Sequence, residues 1–265
     1  PAQTVPGILE ECGQKGVRWA VIETAGFREY TDAGRALEEA IAAVAKKYGI
    51  RFVGPNCIGI INMENGMCLP FPRLKKFVKR GEVSIITQSG GVGMSALNLM
   101  ATDGLGLNKF VSVGNMLDID AEDMLEYLIE DDGTKLIFVY LESIRDGRRL
   151  MDLARRSQKP ILIFKANIGR LGQKIALSHT ASLASDDRVV DAAFHQAGII
   201  RVHDATTFGN YLKILGLPPM RGKNLAVISR SGGQAVIAAD ACELSGFNLA
   251  YLPETFLREI ESYFR

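Results

Sequence analysis

Cysteine and histidine are scarce in this sequence, and neither is spaced as in a metal site or a disulfide framework. The chain has four cysteines without a C-x-x-C pair and three histidines at distant positions. Zinc sites and disulfide-rich folds need closer and more regular spacing, so no metal site is predicted. Scattered cysteines are typical of a reducing compartment, and a cytoplasmic location is expected.

Long apolar runs and an excess of charge of one sign are also absent. No segment approaches the length of apolar residues that a membrane-spanning helix requires, so no membrane span is expected. The 31 basic and 30 acidic residues are spread evenly, which argues against a nucleic-acid surface or a basic membrane patch. A chain of 265 residues with 47% apolar residues is long enough for more than one globular domain.

The start of the chain lacks an initiator methionine, a basic segment and an apolar leader. Pro1, Ala2, Gln3 and Thr4 lead directly into a helical pattern. Such a start is typical of a chain cut from a longer protein, and we expect a preceding segment.

Strand and helix patterns alternate through the first part of the chain, with helices predicted at 5–15 and 32–47 and strands at 17–22 and 51–53. This alternation predicts an α/β fold, in which crossover helices connect the strands of a parallel sheet. Ligands of such sheets bind beyond the carboxyl ends of the strands. The segments that follow the two strands, 23–27 and 54–57, are therefore candidate binding loops.

The rest of the chain reads as a second doubly wound parallel sheet and the start of a third unit. A break is predicted at 70–72, and the basic run 73–80 is interpreted as a solvated linker. Strands are expected at 82–87, 109–113, 135–141 and 161–164, and helices at 92–103, 121–130, 147–157, 187–197 and 204–214. The predicted domains are 1–72, 81–217 and 222–265, the last of them too short for a complete core.

The tripeptide Ser-Gly-Gly occurs twice between a predicted strand and a predicted helix, at Ser89-Gly90-Gly91 and at Ser231-Gly232-Gly233. Glycines at a strand-to-helix turn expose backbone N–H groups, and the helix N-terminus carries partial positive charge. Each turn is therefore a candidate phosphate site. A tight turn that needs a positive φ would explain a single copy equally well.

His179 lies among small hydroxyl-bearing residues in the segment 178–182. A neutral imidazole has a lone pair that can attack phosphorus near pH 7, and small neighbours leave room for a phosphate group. A loop histidine without a role is the alternative. Together with the two glycine turns, His179 favours phosphate chemistry and is predicted as the reacting residue.

Two enzyme classes compete with this interpretation on motif grounds. The segment 91–96 fits the G-x-G-x-x-A fingerprint of NAD(P)-dependent Rossmann enzymes, but the next strand ends at Gly114-Asn115 without an acid for a ribose. The segment 87–91 approximates the nucleophile elbow of hydrolases, with Ser89, Asp118 and His179 in hydrolase order. The first glycine of the elbow motif is replaced by Thr87. A nucleophile at Ser89 would also not explain why the Ser-Gly-Gly turn is repeated at Ser231.

Several motifs together resemble the α portion of the nucleoside-diphosphate-forming acyl-CoA synthetases, the family of succinyl-CoA synthetase and ADP-forming acetyl-CoA synthetase. They are the segments 54–59, 88–91, 140–143, 177–183 and 230–233. The resemblance covers essentially the whole chain. It implies a partial Rossmann-like CoA-binding domain followed by flavodoxin-like doubly wound domains, truncated at both ends.

The resemblance implies an acid–thiol ligase that interconverts acyl-CoA, phosphate and a nucleoside diphosphate with acid, CoA and the triphosphate. The reaction passes through an acyl phosphate and a phosphohistidine. His179 matches the phosphorylated histidine, and Glu142 matches the glutamate that holds its ring. Ser89 and Ser231 open the helices that would embrace the phosphate. Residues matching the CoA site are Pro1, Ala2, Glu23, Thr24, Asn56 and Cys57.

The sequence departs from the family pattern at two places, and it also lacks a segment that would bind the nucleotide. The glycine-rich CoA-phosphate loop would precede Pro1, and Ala181 stands where glycine is usual. No ATP-grasp segment is visible, so nucleotide and Mg are expected on a β subunit or fused domain. A small carboxylic acid substrate and an oligomer are also implied. A non-catalytic synthetase-like module of a protein acetyltransferase is the remaining alternative, although it would need neither His179 nor Glu142.

Overall fold

The chain is described from a computed structural model that covers residues 1–74, 77–169, 171–172, 186–215, 217 and 220–263. It forms two compact units, Pro1–Ile214 and Leu215–Arg265. The two units do not test the bounds of the three predicted domains, 1–72, 81–217 and 222–265, and these bounds stay predictions. His179, Ala181 and the rest of the predicted loop 178–182 lie outside the described residues.

The first unit begins with two helix–strand pairs. After a 3₁₀ turn at Ala2–Thr4 come α1 (Val5–Gln14), β1 (Trp19–Val21), α2 (Asp32–Tyr48) and β2 (Arg51–Val53), and the two strands pair in parallel. Thr31 begins α2 by accepting a hydrogen bond from the Gly34 N–H at 3.2 Å. The buried side chains of Phe27, Ile41 and Phe52 form the centre of this small core.

A seven-stranded sheet forms the centre of the first unit within the described residues. Its order is β4-β3-β6-β5-β7-β8-β9. β3 pairs antiparallel with both of its neighbours, β4 and β6, and the other pairs of neighbouring strands are parallel. The strands are β3 (Ile60–Asn62), β4 (Met67–Cys68), β5 (Lys79–Thr87), β6 (Gly106–Ser112), β7 (Leu136–Leu141), β8 (Ile161–Lys165) and β9 (Ile200–Val202).

Helices cover both faces of this sheet. They are α3 (Gly90–Asp103), α4 (Ala121–Glu130), α5 (Gly147–Arg156), α6 (Asp187–Ala197) and α7 (Ala205–Leu215). Side chains of Ser89, Asp120, Asp146 and Asp186 accept N–H groups of the first turns of α3 to α6, so four of these starts are encoded locally.

The alternating side chains of β7 divide the core between the two faces. Ile137, Val139 and Leu141 pack on the side of α4, α5 and α6, whereas Phe138 and Tyr140 pack on the side of α3 and α7. Because every residue of β7 is buried, this strand lies at the centre of a two-sided core.

Two loops join the helix–strand pairs to the large sheet. The Asn56 loop (residues 54–58) and the Asn115 loop (residues 112–119) are linked by backbone hydrogen bonds from Asn115 N–H to Pro55 O at 2.9 Å and from Leu117 N–H to Gly54 O at 3.1 Å. A Cβ on Gly114, which has a φ of 56°, would lie 2.2 Å from Pro55 O. The close approach of the two loops therefore requires glycine at this position.

The second unit contains a short parallel strand pair and two helices among its described residues. These are β10 (Asn224–Leu225), α8 (Gly232–Leu244), β11 (Asn248–Leu249) and α9 (Glu254–Glu261). Cys242 is the buried hydrophobic residue of α8, whereas Val236 and Ile237 are exposed.

The predicted α/β class and parallel sheet are confirmed, and the strand 51–53 and the helix 121–130 have the predicted bounds. The sequence patterns missed β3, β4, β9, β11 and α9. Among the described residues, no helix is long and apolar enough to cross a membrane.

Candidate functional site

A cleft of about 300 Å³ lies where the carboxyl ends of the central strands meet the loops that follow β1 and β2. Its volume is at the low end of the range for small-molecule sites. Seven of the residues predicted from sequence line it: Glu23, Asn56, Cys57, Ser89, Gly90, Gly91 and Glu142. The structure thus brings part of the predicted CoA site together with one predicted phosphate turn and the predicted catalytic carboxylate.

The Ser89 turn (residues 87–91) connects β5 to α3 at the cleft. Ser89 Oγ accepts a hydrogen bond from Val92 N–H at 3.4 Å, and Thr87 Oγ1 donates to Ser89 O at 2.7 Å. These bonds hold the turn open at the start of a 14-residue helix. Gly90 and Gly91 line the cleft at the positive end of that helix, and the start of a helix favours negative charge.

The Asn56 loop forms the opposite wall of the cleft. Its Gly54–Pro55 bond is cis, and Asn56 has a φ of 58°. Asn56 N–H donates to Thr24 O at 3.0 Å, and the Asn56 side-chain amide donates to Asn115 Oδ1 at 3.2 Å. Thr24 therefore supports the loop through its main chain.

Burial raises the pKa values of two residues that line the cleft, Cys57 and Glu23. Burial raises the pKa of the Cys57 thiol to about 11, and its Sγ lies 3.4 Å from Ile22 O. Burial also raises the pKa of Glu23. A thiol that stays protonated near pH 7 is a poor nucleophile, so Cys57 is suited to contact a ligand rather than to attack it.

Pro1, Ala2 and Thr24, the other three residues predicted for the CoA site, are not among the described residues that line the cleft. Pro1 is exposed at the start of the 3₁₀ turn, and Ala2 is buried in the small core against Gly26. Ala2 therefore lies beside the loop 23–27, which joins β1 to α2.

Glu142 follows β7 directly and lines the cleft beside the Ser89 turn. Its N–H donates to Gln88 Oε1 at 2.9 Å, and its carbonyl oxygen accepts from Lys165 Nζ at 2.9 Å. The main chain at Glu142 is thus held by the side chains of Gln88, which follows β5, and Lys165, the last residue of β8.

The Ser231 turn (residues 229–233) belongs to the second unit, and it repeats the local geometry of the Ser89 turn. Ser231 Oγ accepts from Gln234 N–H at 3.4 Å, and Ser229 Oγ donates to Ser231 O at 3.0 Å. Gly232 and Gly233 open α8 as Gly90 and Gly91 open α3.

A polar cluster whose role the sequence did not predict adjoins the cleft, and two of its members, Arg28 and Asn115, line it. The Asn115 side-chain amide donates to Glu29 Oε2 at 2.7 Å and to Glu38 Oε1 at 2.9 Å, while Arg28 lies 3.6 Å from Glu38 and donates to the Asn115 carbonyl. Burial, opposed by the bond from Asn115 and the charge of Arg28, raises the pKa of Glu38. The available signal was Glu38 itself, an acid three residues before the buried Ile41 on the apolar face of α2.

Glu29 behaves in the opposite way. Burial acts to raise its pKa, but hydrogen bonds from Asn115, Gly26 and Phe27 outweigh burial and lower it. Arg28 and Asn115 line the cleft together with Gln88, so each of the three residues is in reach of a ligand. In the part of the chain that the structure describes, no group of three acid, cysteine or histidine side chains is placed to hold a metal.

Comparison with known proteins identifies two regions. The family model described as "Succinyl-CoA ligase like flavodoxin domain" matches residues 80–215, and that described as "CoA binding domain" matches residues 1–63. The cleft is lined from both regions, because Asn56 belongs to the second match and Ser89 to the first.

Individual relatives agree with these matches. Acetate–CoA ligase [ADP-forming] I of Archaeoglobus fulgidus is 38% identical over 265 residues, which is 99% of this chain and 38% of that protein. The α subunit of acetate–CoA ligase [ADP-forming] II of Pyrococcus furiosus is 36% identical over 99% of this chain and 57% of that subunit. The chain thus spans from about two fifths to just over half of the length of these relatives.

A solved structure is similar along the whole chain. The dinucleotide-forming acetyl-coenzyme A synthetase 1 of Ca. Korarchaeum cryptofilum, in complex with phosphate and ADP, superposes with a TM-score of 0.84 at 33% identity, covering 99% of this chain and 57% of that one. These similarities do not favour the acetyltransferase module or the NAD(P) enzyme. The predicted resemblance is confirmed, and the chain belongs to the succinyl-CoA ligase-like flavodoxin domain family, joined here to a CoA-binding domain.

Proposed function

We propose that this chain is the α portion of a nucleoside-diphosphate-forming acyl-CoA synthetase, an acid–thiol ligase. The observation that carries the proposal is the composition of the cleft, where the Asn56 loop, the Ser89 turn and Glu142 line one cavity. A thioester, a phosphate and a carboxylate that handles protons would meet there. The ADP-forming ligases among the relatives support the same reaction class.

The proposed reaction has three balanced steps. A phosphate oxygen attacks the thioester carbonyl, the C–S bond breaks, and the released thiolate takes up a proton. A ring nitrogen of His179 then attacks the phosphorus of the acyl phosphate, so that a P–N bond forms, the P–O bond to the acyl group breaks, and the carboxylate leaves. Finally an oxygen of the nucleoside diphosphate attacks the same phosphorus, and the P–N bond breaks to give the triphosphate and free His179.

The described residues have distinct proposed roles in these steps. Ser89, Gly90 and Gly91 hold the phosphate at the start of α3, where the helix end offsets about half a charge. A phosphoryl group carries up to two charges, so the Ser231 turn, with Gly232 and Gly233, is proposed as a second phosphate site. Glu142 accepts the remaining ring N–H of His179 and stabilises the imidazolium form.

The amide-containing arm of CoA that ends in the thiol is proposed to lie along the Asn56 loop. The chemistry of the wall fits a thioester end, because the Asn56 amide and the Glu23 carboxyl can pair with amide groups of the arm and Cys57 offers a neutral, buried thiol. Thr24, Pro1 and Ala2 stay proposals for the adjoining part of the site. Nucleotide and Mg are proposed to bind an ATP-grasp partner, and the acid to be a small carboxylic acid.

The deciding experiment uses the full-length chain with its nucleotide-binding partner. With triphosphate labelled at the γ position, we expect an acid-labile label on His179 that is lost when CoA and the correct acid are added. His179→Asn should abolish both label and turnover while circular dichroism and melting stay unchanged. Full activity of a folded His179→Asn protein would disprove the phosphohistidine.

Glu142 is tested in the same assay. Glu142→Gln keeps the size of the side chain and removes its charge, and it should slow phosphorylation by roughly 10²-fold or more, as general acid–base groups typically do. A rate within about twofold of wild type would remove Glu142 from the mechanism. A screen of short carboxylic acids for CoA-dependent turnover then identifies the substrate.

A further inference from the structure

The peptide groups on either side of Glu142 are held by side chains in addition to the strand ladder. On the side of β5, Gln88 Oε1 accepts both Glu142 N–H at 2.9 Å and Ser143 N–H at 3.1 Å. The Gln88 side-chain amide also donates to Ser143 Oγ at 3.3 Å. One glutamine thus fixes the two residues that follow β7.

On the side of β8, two side chains converge on one atom, the carbonyl oxygen of Glu142. Lys165 Nζ donates to it at 2.9 Å, and the Asn167 side-chain amide donates to it at 3.2 Å. Asn167 has a φ of 61°, a left-handed conformation that asparagine tolerates better than most residues. Lys165 Nζ also donates to the carbonyl oxygen of Ala166.

Pairing of the strands alone does not explain why a lysine is buried at position 165. The ladder already joins β7 to β8, with Leu141 opposite Lys165 and Ala166 N–H donating to Leu141 O at 2.8 Å. Lys165 is 5% exposed, and burial of a charged ammonium is unfavourable unless the group is fully paired. Burial lowers the pKa of Lys165, which the charges of Asp187 and Glu142 oppose and that of Arg201 reinforces. A buried apolar side chain at this position would stabilise the strand without the free-energy cost of removing a charge from water.

We propose that Gln88, Lys165 and Asn167 are positioning residues that fix the main chain of Glu142, and thereby the place of its carboxylate at the cleft. The inference rests on the proposed role of Glu142. Fixing both peptide groups of a residue fixes its Cα–Cβ direction, so the three side chains act on the carboxylate through the backbone. Lys165 and Asn167 act without needing to touch the substrate.

The expected effect is on the rate of phosphoryl transfer and not on CoA binding. A misplacement of about 1 Å costs a catalytic group as much as 10²-fold in rate, whereas the Asn56 loop is independent of Lys165. Lys165→Met, which keeps an unbranched side chain of nearly the same length and removes the donor, should lower kcat at least about tenfold and leave the KM for CoA unchanged. Lys165→Arg should recover part of that loss.

A matched control is available in the same sheet. Lys159 Nζ donates to the carbonyl oxygens of Leu128 at 2.8 Å and Asp131 at 2.6 Å, so it too holds two main-chain carbonyls, and burial lowers its pKa. It precedes β8 and therefore lies at the opposite edge of the sheet from Glu142. Lys159→Met should lower stability as Lys165→Met does and leave kcat within about twofold of wild type.

The decisive readout is a double-mutant cycle in the full-length protein with its nucleotide-binding partner. If Lys165 acts through Glu142, Lys165→Met slows phosphorylation in the wild-type background and has no further effect in Glu142→Gln. Equal slowing in both backgrounds would overturn the inference. Absence of label on the wild-type protein would instead reject the proposed function, so the two failures are distinguishable.

Two further variants keep the inference testable if Lys165→Met does not fold. Asn167→Gly retains the left-handed backbone and removes the donor, and Gln88→Met removes the acceptor on the other side. Each should lower kcat and have no further effect in Glu142→Gln, and Asn167→Gly should leave the KM for CoA unchanged. If both folded variants phosphorylate at the wild-type rate, these side chains do not position Glu142.

Discussion

The Ser89 turn and the Ser231 turn have the same local design in different surroundings. In each, a serine caps the helix through an Oγ contact of 3.4 Å and a hydroxyl two residues earlier bonds the serine carbonyl. Around Ser89, however, a Cβ on Gly90 would lie 2.5 Å from Ile58 Cγ2, whereas a Cβ on Gly232 meets no described atom within 4 Å. A short sequence motif is therefore sufficient for the turn, but the wall that makes it a cleft comes from a distant loop.

The largest expected difference between the two turns lies in the helices that follow them. Leu97 of α3 is fully buried, and Leu97→Ala should lower the free energy of unfolding of the first unit by about 2–5 kcal/mol. Ile237 of α8 is 70% exposed, and Ile237→Ala should change stability by less than about 0.5 kcal/mol. Urea unfolding followed by circular dichroism measures both, and equal losses would contradict the contrast.

Gly90→Ala and Gly232→Ala test the walls directly. The new methyl at residue 90 collides with Ile58, and such overpacking costs about 1–3 kcal/mol, whereas at residue 232 the effect should stay within about 0.5 kcal/mol. The collision should be smaller in an Ile58→Ala background, which serves as the control. If Gly90→Ala were as stable as wild type, the two loops would not be in firm contact.

Ser89→Ala and Ser231→Ala should have similar effects on stability, so this pair of variants should show the smallest difference between the two turns. Each removes one helix cap, which is worth about 0.5–2 kcal/mol, and the 3.4 Å contacts favour the low end. Amide hydrogen exchange in the first turns of α3 and α8 should increase by a similar factor, and serine to threonine should restore most of the protection. A large difference between the two sites would show that the turns are not equivalent even locally.

Local features of the fold were predictable from the sequence, since periodic apolar residues and helix caps depend on neighbours in the chain. The helix at 121–130 is an example, because Asp120 and Asp123 form its capping box. The strand β3 was missed because three residues carry no clear alternation, and its pairing with β6 joins positions about 50 residues apart.

The same distinction applies to the candidate site. Ser89, Asn56 and Glu142 could be found from motifs, and the cleft brings them together. Arg28 and Asn115 were not found, and Gln88 was part of a motif without a predicted role, because their roles arise from hydrogen bonds between loops that are far apart in sequence. The phosphorylation of His179 stays a prediction that the labelling experiment tests.

The distribution of strand lengths has a consequence for association between chains. Every strand at the edge of a described sheet is two or three residues long, as β4 and β9 are, whereas the interior strand β5 has nine residues. A short edge offers few unpaired N–H and C=O groups to a strand of another molecule. The apolar runs of highest β-propensity are thus enclosed on both sides, and partly unfolded forms that uncover β5 or β7 are expected to be the species from which aggregation begins.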